Sequence, residues 1–169
     1  MKTVIFKWNP SFSSYTMRQF LSDLEFCNES APDDFDWSVW DYEQIHEGDR
    51  YYWDKLGYGA TGIVSRGIIT SEPRVGEDWS GKGRKTYYVD FEPEMIINPD
   101  ALPILTMDVL KANIPDFEWD HGHSGLILTD DQAVALDKLW DNFVETNREE
   151  LKKKANSDRE YNDYIYWQK

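Results

Sequence analysis

The chain has 169 residues, 40% hydrophobic and 15% aromatic, which is enough apolar material to bury a core within one domain. Its formal charge of −14 repels phosphate backbones on average and excludes a general nucleic-acid coat protein. Charge still permits a local basic patch, a single base read in a pocket, or a basic protein partner.

Cys27 is the sole cysteine, so neither an intramolecular disulfide nor a zinc site built on several thiolates is available. It reads as a small buried hydrophobe on a helix. The N-terminal apolar run is too short for a signal-peptide core, and no stretch nears the roughly 20 apolar residues of a membrane span. A cytoplasmic protein without membrane attachment is expected.

Val4, Phe6 and Trp8 alternate with Ile5 and Lys7 and predict a first strand ending at Asn9-Pro10. Met17, Phe20, Leu21 and Leu24 recur at helical spacing, and Thr16 with Gln19 forms a capping box. An acidic loop follows over 28–36. Residues 37–92 read as β: a short strand and turn from Trp37 to Ile45, a strand from Tyr51, and another over 63–70 with a bend or bulge at Gly67. Residues 72–85 read as a long loop, and alternation of Tyr87, Val89 and Phe91 predicts a further strand. A short helix over 106–112 and a last strand over 124–128 precede a second capping box, Thr129 with Gln132. That box opens a helix whose core face is Ala133, Leu136, Trp140 and Phe143.

These elements predict an α+β fold: a small open β-barrel of about five to seven mostly antiparallel strands with flanking helices. The barrel domain is expected over 1–148. Residues 149–169 form a charged segment whose aromatic end docks on it.

Phosphate loops, dinucleotide fingerprints, nucleophile elbows and metalloprotease motifs are all missing. Gly57, Gly59 and Gly62 precede a strand, the reverse of a dinucleotide fingerprint, which follows one. Asp120-His121-Gly122-His123 is the one metal-like cluster. It lacks a convincing third ligand group, so no metal and no cofactor are expected. An enzymatic reading would rest on His121, His123 and nearby acids; a non-enzymatic binding module is the stronger expectation. Eight Trp, ten Tyr and eight Phe are the more telling excess, because bases are held by stacking on such rings.

Taken in order, several short segments resemble the PUA-like superfamily and, within it, the EVE and YTH-like branch. They are Phe6-Lys7-Trp8-Asn9-Pro10, Trp37-Ser38-Val39, Ile45-His46-Glu47-Gly48-Asp49, the strand Gly62 to Ile69, Ser71-Glu72-Pro73, and Trp119 through Ser124-Gly125 to Leu139-Trp140. The closing segments are similar to versions fused to modification-dependent restriction nucleases. The resemblance implies a barrel with a pocket for a modified base, a nucleotide or a nucleic acid. Carried over by position, it places Trp8, Asn9, Trp37, Ser38 and Trp79 in that pocket, with Ser71 at its rim. It makes Gly48-Asp49 a structural turn in which Asp49 caps backbone N–H groups. Arg66, Arg74, Lys82, Arg84 and Lys85 are the cations available to a nucleic-acid rim. The alternative is an acidic interaction domain of the immunity, antitoxin or nucleic-acid-mimic type, in which Asp23, Glu25, Glu29, Asp33, Asp34 and Asp36 form one face against a basic protein.

Overall fold

In the computed structural model, residues 1–30, 35–78 and 80–168 are described. The opening strand β1 (Thr3–Trp8) is buried on both faces along its whole length, which is why its apolar residues run continuously instead of strictly alternating. It lies parallel to β3 (Arg50–Lys55), from Thr3↔Arg50 to Trp8↔Lys55, and antiparallel to the two-residue β8 (Leu126–Ile127). A parallel pair needs a crossover. Here the crossover carries helix α1 (Met17–Glu29), strand β2 (Phe35–Val39) and a short 3₁₀ turn at Tyr42–Gln44. The expected Thr16/Gln19 capping box starts α1, and Met17, Phe20, Leu24 and Cys27 bury its inner face. Cys27 is 2% exposed, and burial pushes its thiol up to about 12.

The remaining strands are β4 (Gly62–Ile69), β5 (Arg74–Glu77), β6 (Lys85–Ile97), β7 (Leu105–Thr106) and β9 (Ile165–Trp167). Helices α2 (Met107–Asn113), α3 (Asp130–Thr146) and α4 (Arg148–Ala155) complete the set. The strands form one curled, mixed sheet in the order β2-β6-β4-β3-β1-β8, an open barrel of α+β class. β6 is its spine. Phe91 pairs with both Phe35 and Ile69, and Met95 with both Arg66 and Trp167. β2 and β9 therefore follow one edge of β6 while β4 and β5 follow the other. The β4–β6 register shifts at Gly67, where an added Cβ would lie 2.2 Å from the Glu92 carbonyl oxygen, so only glycine permits that approach. Phe6 stacks on Tyr51 on the inner face, with ring centroids 4.8 Å apart. Tyr52 meets Trp140 of α3 on the outer one.

Nine strands replace the expected five to seven because β5, β7, β8 and β9 are short edge pieces. β5 lies inside the segment read as loop: its Arg-Val-Gly-Glu has too few apolar positions for alternation to register. β6 runs past Pro93, a residue that argues against an interior strand position and is accommodated beside the bulge opposite Gly67. After α4, β9 pairs with Met95–Ile97, and Asn28 Nδ2 of α1 donates to the Ile165 carbonyl at 3.0 Å. No described helix is long and apolar enough to cross a membrane.

The two ends of the sheet meet at a seam. Trp40 N–H donates to the Ser124 carbonyl at 2.8 Å, and Asp41 N–H to that of Gly125 at 3.0 Å. An Asp41 carboxylate oxygen accepts from Ile127 N–H at 3.0 Å. Gly125 sits at φ +83°, and a Cβ there would fall 2.3 Å from the Val39 Cα. Gly125→Ala is therefore expected to cost at least about 2 kcal/mol and to lower Tm by roughly 4–8 °C. Gly48→Ala, also at positive φ but with nothing within 4 Å, should cost less. Equal losses for the two variants in a thermal melt would mean that the seam is not tightly closed.

Candidate functional site

A groove of about 1170 Å³ opens at the seam. Its floor is aromatic. Trp53 of β3 has five rings around it: Trp8, Tyr15, Phe20, Trp37 and Phe91, with centroids 4.8 to 5.9 Å away. The parallel β1–β3 register brings Trp8 and Trp53 together. Trp37 arrives from β2 and is held there by its indole N–H, which donates to the Lys7 carbonyl at 3.2 Å. Tyr15 comes from the turn after β1, and its hydroxyl donates to Asp23 of α1. The Trp53 indole N–H is buried and has no partner among the described residues.

The predicted residues distribute as follows. Trp37 is half-buried on the groove wall with Ser38 beside it, and Asn9 borders the entrance. Trp8 backs the cluster instead of presenting a face: it is 1% exposed and its N–H donates to the Tyr15 carbonyl at 2.8 Å. Trp79 lies outside the described residues. Ser71 is not at the rim; its hydroxyl accepts from Asp90 N–H at 2.9 Å and fixes the β4–β5 corner. Lys82, Arg84 and Lys85 line the groove from the β5–β6 hairpin. Arg66 and Arg74 do not. Arg66 points to the outer face, where it donates to Glu94 at 2.6 Å and lies 5.7 Å from the Trp140 ring centre. Arg74 bridges Asp36 and Asp90 at 3.2 and 2.9 Å. Both sites attract an arginine for structural reasons that basic spacing alone does not reveal.

Tyr15 and Phe91 are groove residues that the sequence reading did not single out as site residues, and Trp53 joins them at the centre of the cluster. The parallel register was the missing information, since it alone puts β3 beside β1. Of the acids proposed as one face, Asp23 and Asp36 border the groove, while Asp33 and Asp34 lie outside the described residues. Asp49 caps backbone as expected, accepting from Lys2 N–H at 2.9 Å and His46 N–H at 2.8 Å. In the metal-like segment, Glu118, Asp120 and His121 place ligand atoms within 4.8 Å of one another, all exposed. Lys111 pairs with Asp120 at 2.6 Å, and His123 turns away to stack on Trp40.

Beneath the groove wall, Lys7 braces the loop that precedes β8. Its ammonium donates to the Glu118 and His121 carbonyls, and its backbone N–H to the Ser124 hydroxyl at 2.9 Å. Desolvation lowers the Lys7 pKa. Its cross-strand neighbour Asp54 is fully buried, and neither carboxylate oxygen has a partner among the described residues. Burial holds the Asp54 carboxyl well above the usual 3.8, and nearby Lys7 only partly offsets this.

No model of a protein family matches the chain, and no significant match exists among curated proteins. Solved structures do match. A Pseudomonas putida protein is 14% identical, covering 81% of this chain and 98% of that one with a TM-score of 0.51. A Leishmania major protein is 12% identical over 89% and 96%, also at 0.51. A YTH domain-containing protein, Mmi1, in complex with RNA, is 10% identical over 88% and 86%, at 0.50. The chain shares the fold of these proteins, a YTH domain among them.

Asp54 gives the site a pH signature. Its folded-state pKa lies above the unfolded value, so the folded state holds the proton more tightly. The destabilisation is absent below the unfolded pKa and grows as pH rises above it. Asp54→Asn should therefore raise Tm relative to the parent by about 2–4 °C more at pH 7.5 than at pH 4.5. A Tm difference that does not change with pH would show Asp54 to be a satisfied, ionised partner of Lys7.

Proposed function

We propose that this protein is a non-enzymatic binding module that takes a nucleobase, modified or carried in a nucleic-acid strand, against the aromatic groove. The observation that carries the reading is a local departure from the charge of the whole chain. The chain has a charge of −14, yet among the described groove residues the hairpin cations Lys82, Arg84 and Lys85 match the acids Asp23, Asp36 and Asp78 in number. Lys82, Arg84 and Lys85 form no ion pairs with the described residues. Cations beside stacked aromatic rings are what a single-stranded nucleic acid requires: the cations follow its backbone and the rings take its bases. A base that is already unpaired avoids the unstacking cost of a few kcal/mol.

The shared fold with a YTH domain solved in complex with RNA supports the same reading, as does the order of PUA-like and EVE-like segments along the chain. Trp37 would provide the stacking face, Ser38 and Asn9 would bond the base edge, and the hairpin cations would meet phosphate. A basic protein partner gains no such support from the shared fold.

The reading is tested with the tryptophans. Titration with nucleosides and short single- and double-stranded oligonucleotides, plain and base-modified, should give saturable quenching for unpaired strands that weakens as salt rises. Trp37→Ala should lower that affinity by at least ten-fold while the circular dichroism spectrum is kept. A flat response across the whole panel would refute the proposal.

A further inference from the structure

Trp40 stands just beyond β2 with 57% of its surface exposed, an unusual position for an indole in a chain with this much buried aromatic surface. It is not a loose side chain. Its backbone N–H is bonded to Ser124 across the seam, Asp41 next to it is bonded to Gly125 and Ile127, and Gly125 packs directly on Val39. One face of the indole lies flat on the His123 imidazole, with centroids 3.7 Å apart and an interplanar angle of 5°. The exposed surface is therefore the other face and the ring edge. Trp40 and His123 both border the groove that holds Trp37.

Two further observations bear on what this face meets. The groove volume of about 1170 Å³ exceeds the roughly 300–1,000 Å³ that suffices for a drug-sized ligand, so one base leaves much of it unfilled. Trp40 stands at the bend just past β2, three residues from Trp37, so their Cα atoms lie at most roughly 10 Å apart. A flexible single strand spans that distance within a few nucleotides, and a double helix, whose bases stack on each other, offers no free face to either ring.

Resting on the base-binding reading above, we infer that Trp40, backed by His123, is a second stacking site for another base of the same single strand, so that the protein binds an oligonucleotide at two points. The commitment to a nucleic-acid strand follows from charge: Lys82, Arg84 and Lys85 line the same groove and suit the phosphates that would join the two bases. The pre-stacked His123 keeps the indole in one orientation, so little side-chain freedom is lost when a base lands on it.

The experiment compares mono-, tri- and pentanucleotides of adenine, cytosine and uracil, each plain and base-methylated, by fluorescence titration of the full chain. The parent should bind the best trinucleotide about ten-fold or more tighter than its mononucleotide. Trp40→Ala should bring the trinucleotide close to the mononucleotide affinity, and Trp40→Tyr should restore most of the gain. Melting curves check that both variants fold, which the exposure of Trp40 favours. A trinucleotide that binds no tighter than the mononucleotide overturns the two-point inference alone. So does Trp40→Ala weakening both ligands equally, since that would make Trp40 part of the first site. If the parent binds no member of the series, the base-binding reading fails and this inference with it.

Discussion

The structure depends on how its sheet closes. A mixed sheet in the order β2-β6-β4-β3-β1-β8 curls until its two edges face each other, and they join at a short seam beside the end of β2. Backbone bonds from Trp40 and Asp41 to Ser124 and Gly125 form that seam, and the Trp37 indole bonded to the Lys7 carbonyl ties the same edges one layer away. Where the strands no longer pair, the sheet leaves an opening, and the aromatic floor of the barrel becomes a groove wall. The site is thus a by-product of incomplete closure. Its lining is fixed by which side chains the two edges carry, chiefly Trp37 from one and the loop before β8 from the other.

Much of this was legible beforehand. The strand over Val4 to Trp8, two capping boxes and the glycine bend at Gly67 each correspond to an observed feature, because each is a local property of a few residues. The resemblance to the EVE and YTH-like branch gave Trp37, Ser38 and Asn9 as groove residues. Long-range placement was not legible. Nothing local says that β3 lies parallel to β1, so no spacing in the sequence puts Trp53 at the centre of the cluster. Arg66 and Arg74 looked like rim cations for the same reason: side-chain direction depends on strand pairing. β5, with four residues and one strong β-former, was too short to carry a signal.

The cluster around Trp53 also explains why the groove can keep its shape with so much aromatic surface near solvent. Trp8, Phe20 and Phe91 support Trp53 from the core side, while Tyr15 and Trp37 lie toward the opening. Rings held at these distances and tilts gain from edge-to-face contact as well as from burial. Lys7 contributes from the other side of β1. By holding the Glu118 and His121 carbonyls, it gives the loop before β8 an anchor that the exposed acids of that loop do not supply.

The pairing pattern also bears on how the chain reaches this state. β1 must find β3 across a crossover and β8 from much later in the sequence, and β6 must recruit β2, β4, β5 and β9. Sheets made of such distant partners assemble slowly, and until they do, strands such as Val-Ile-Phe-Lys-Trp stay available to neighbouring chains. A charge of −14 carried by every unfinished copy makes those encounters repulsive. The acidity thus acts before the groove exists, by keeping slowly folding chains apart.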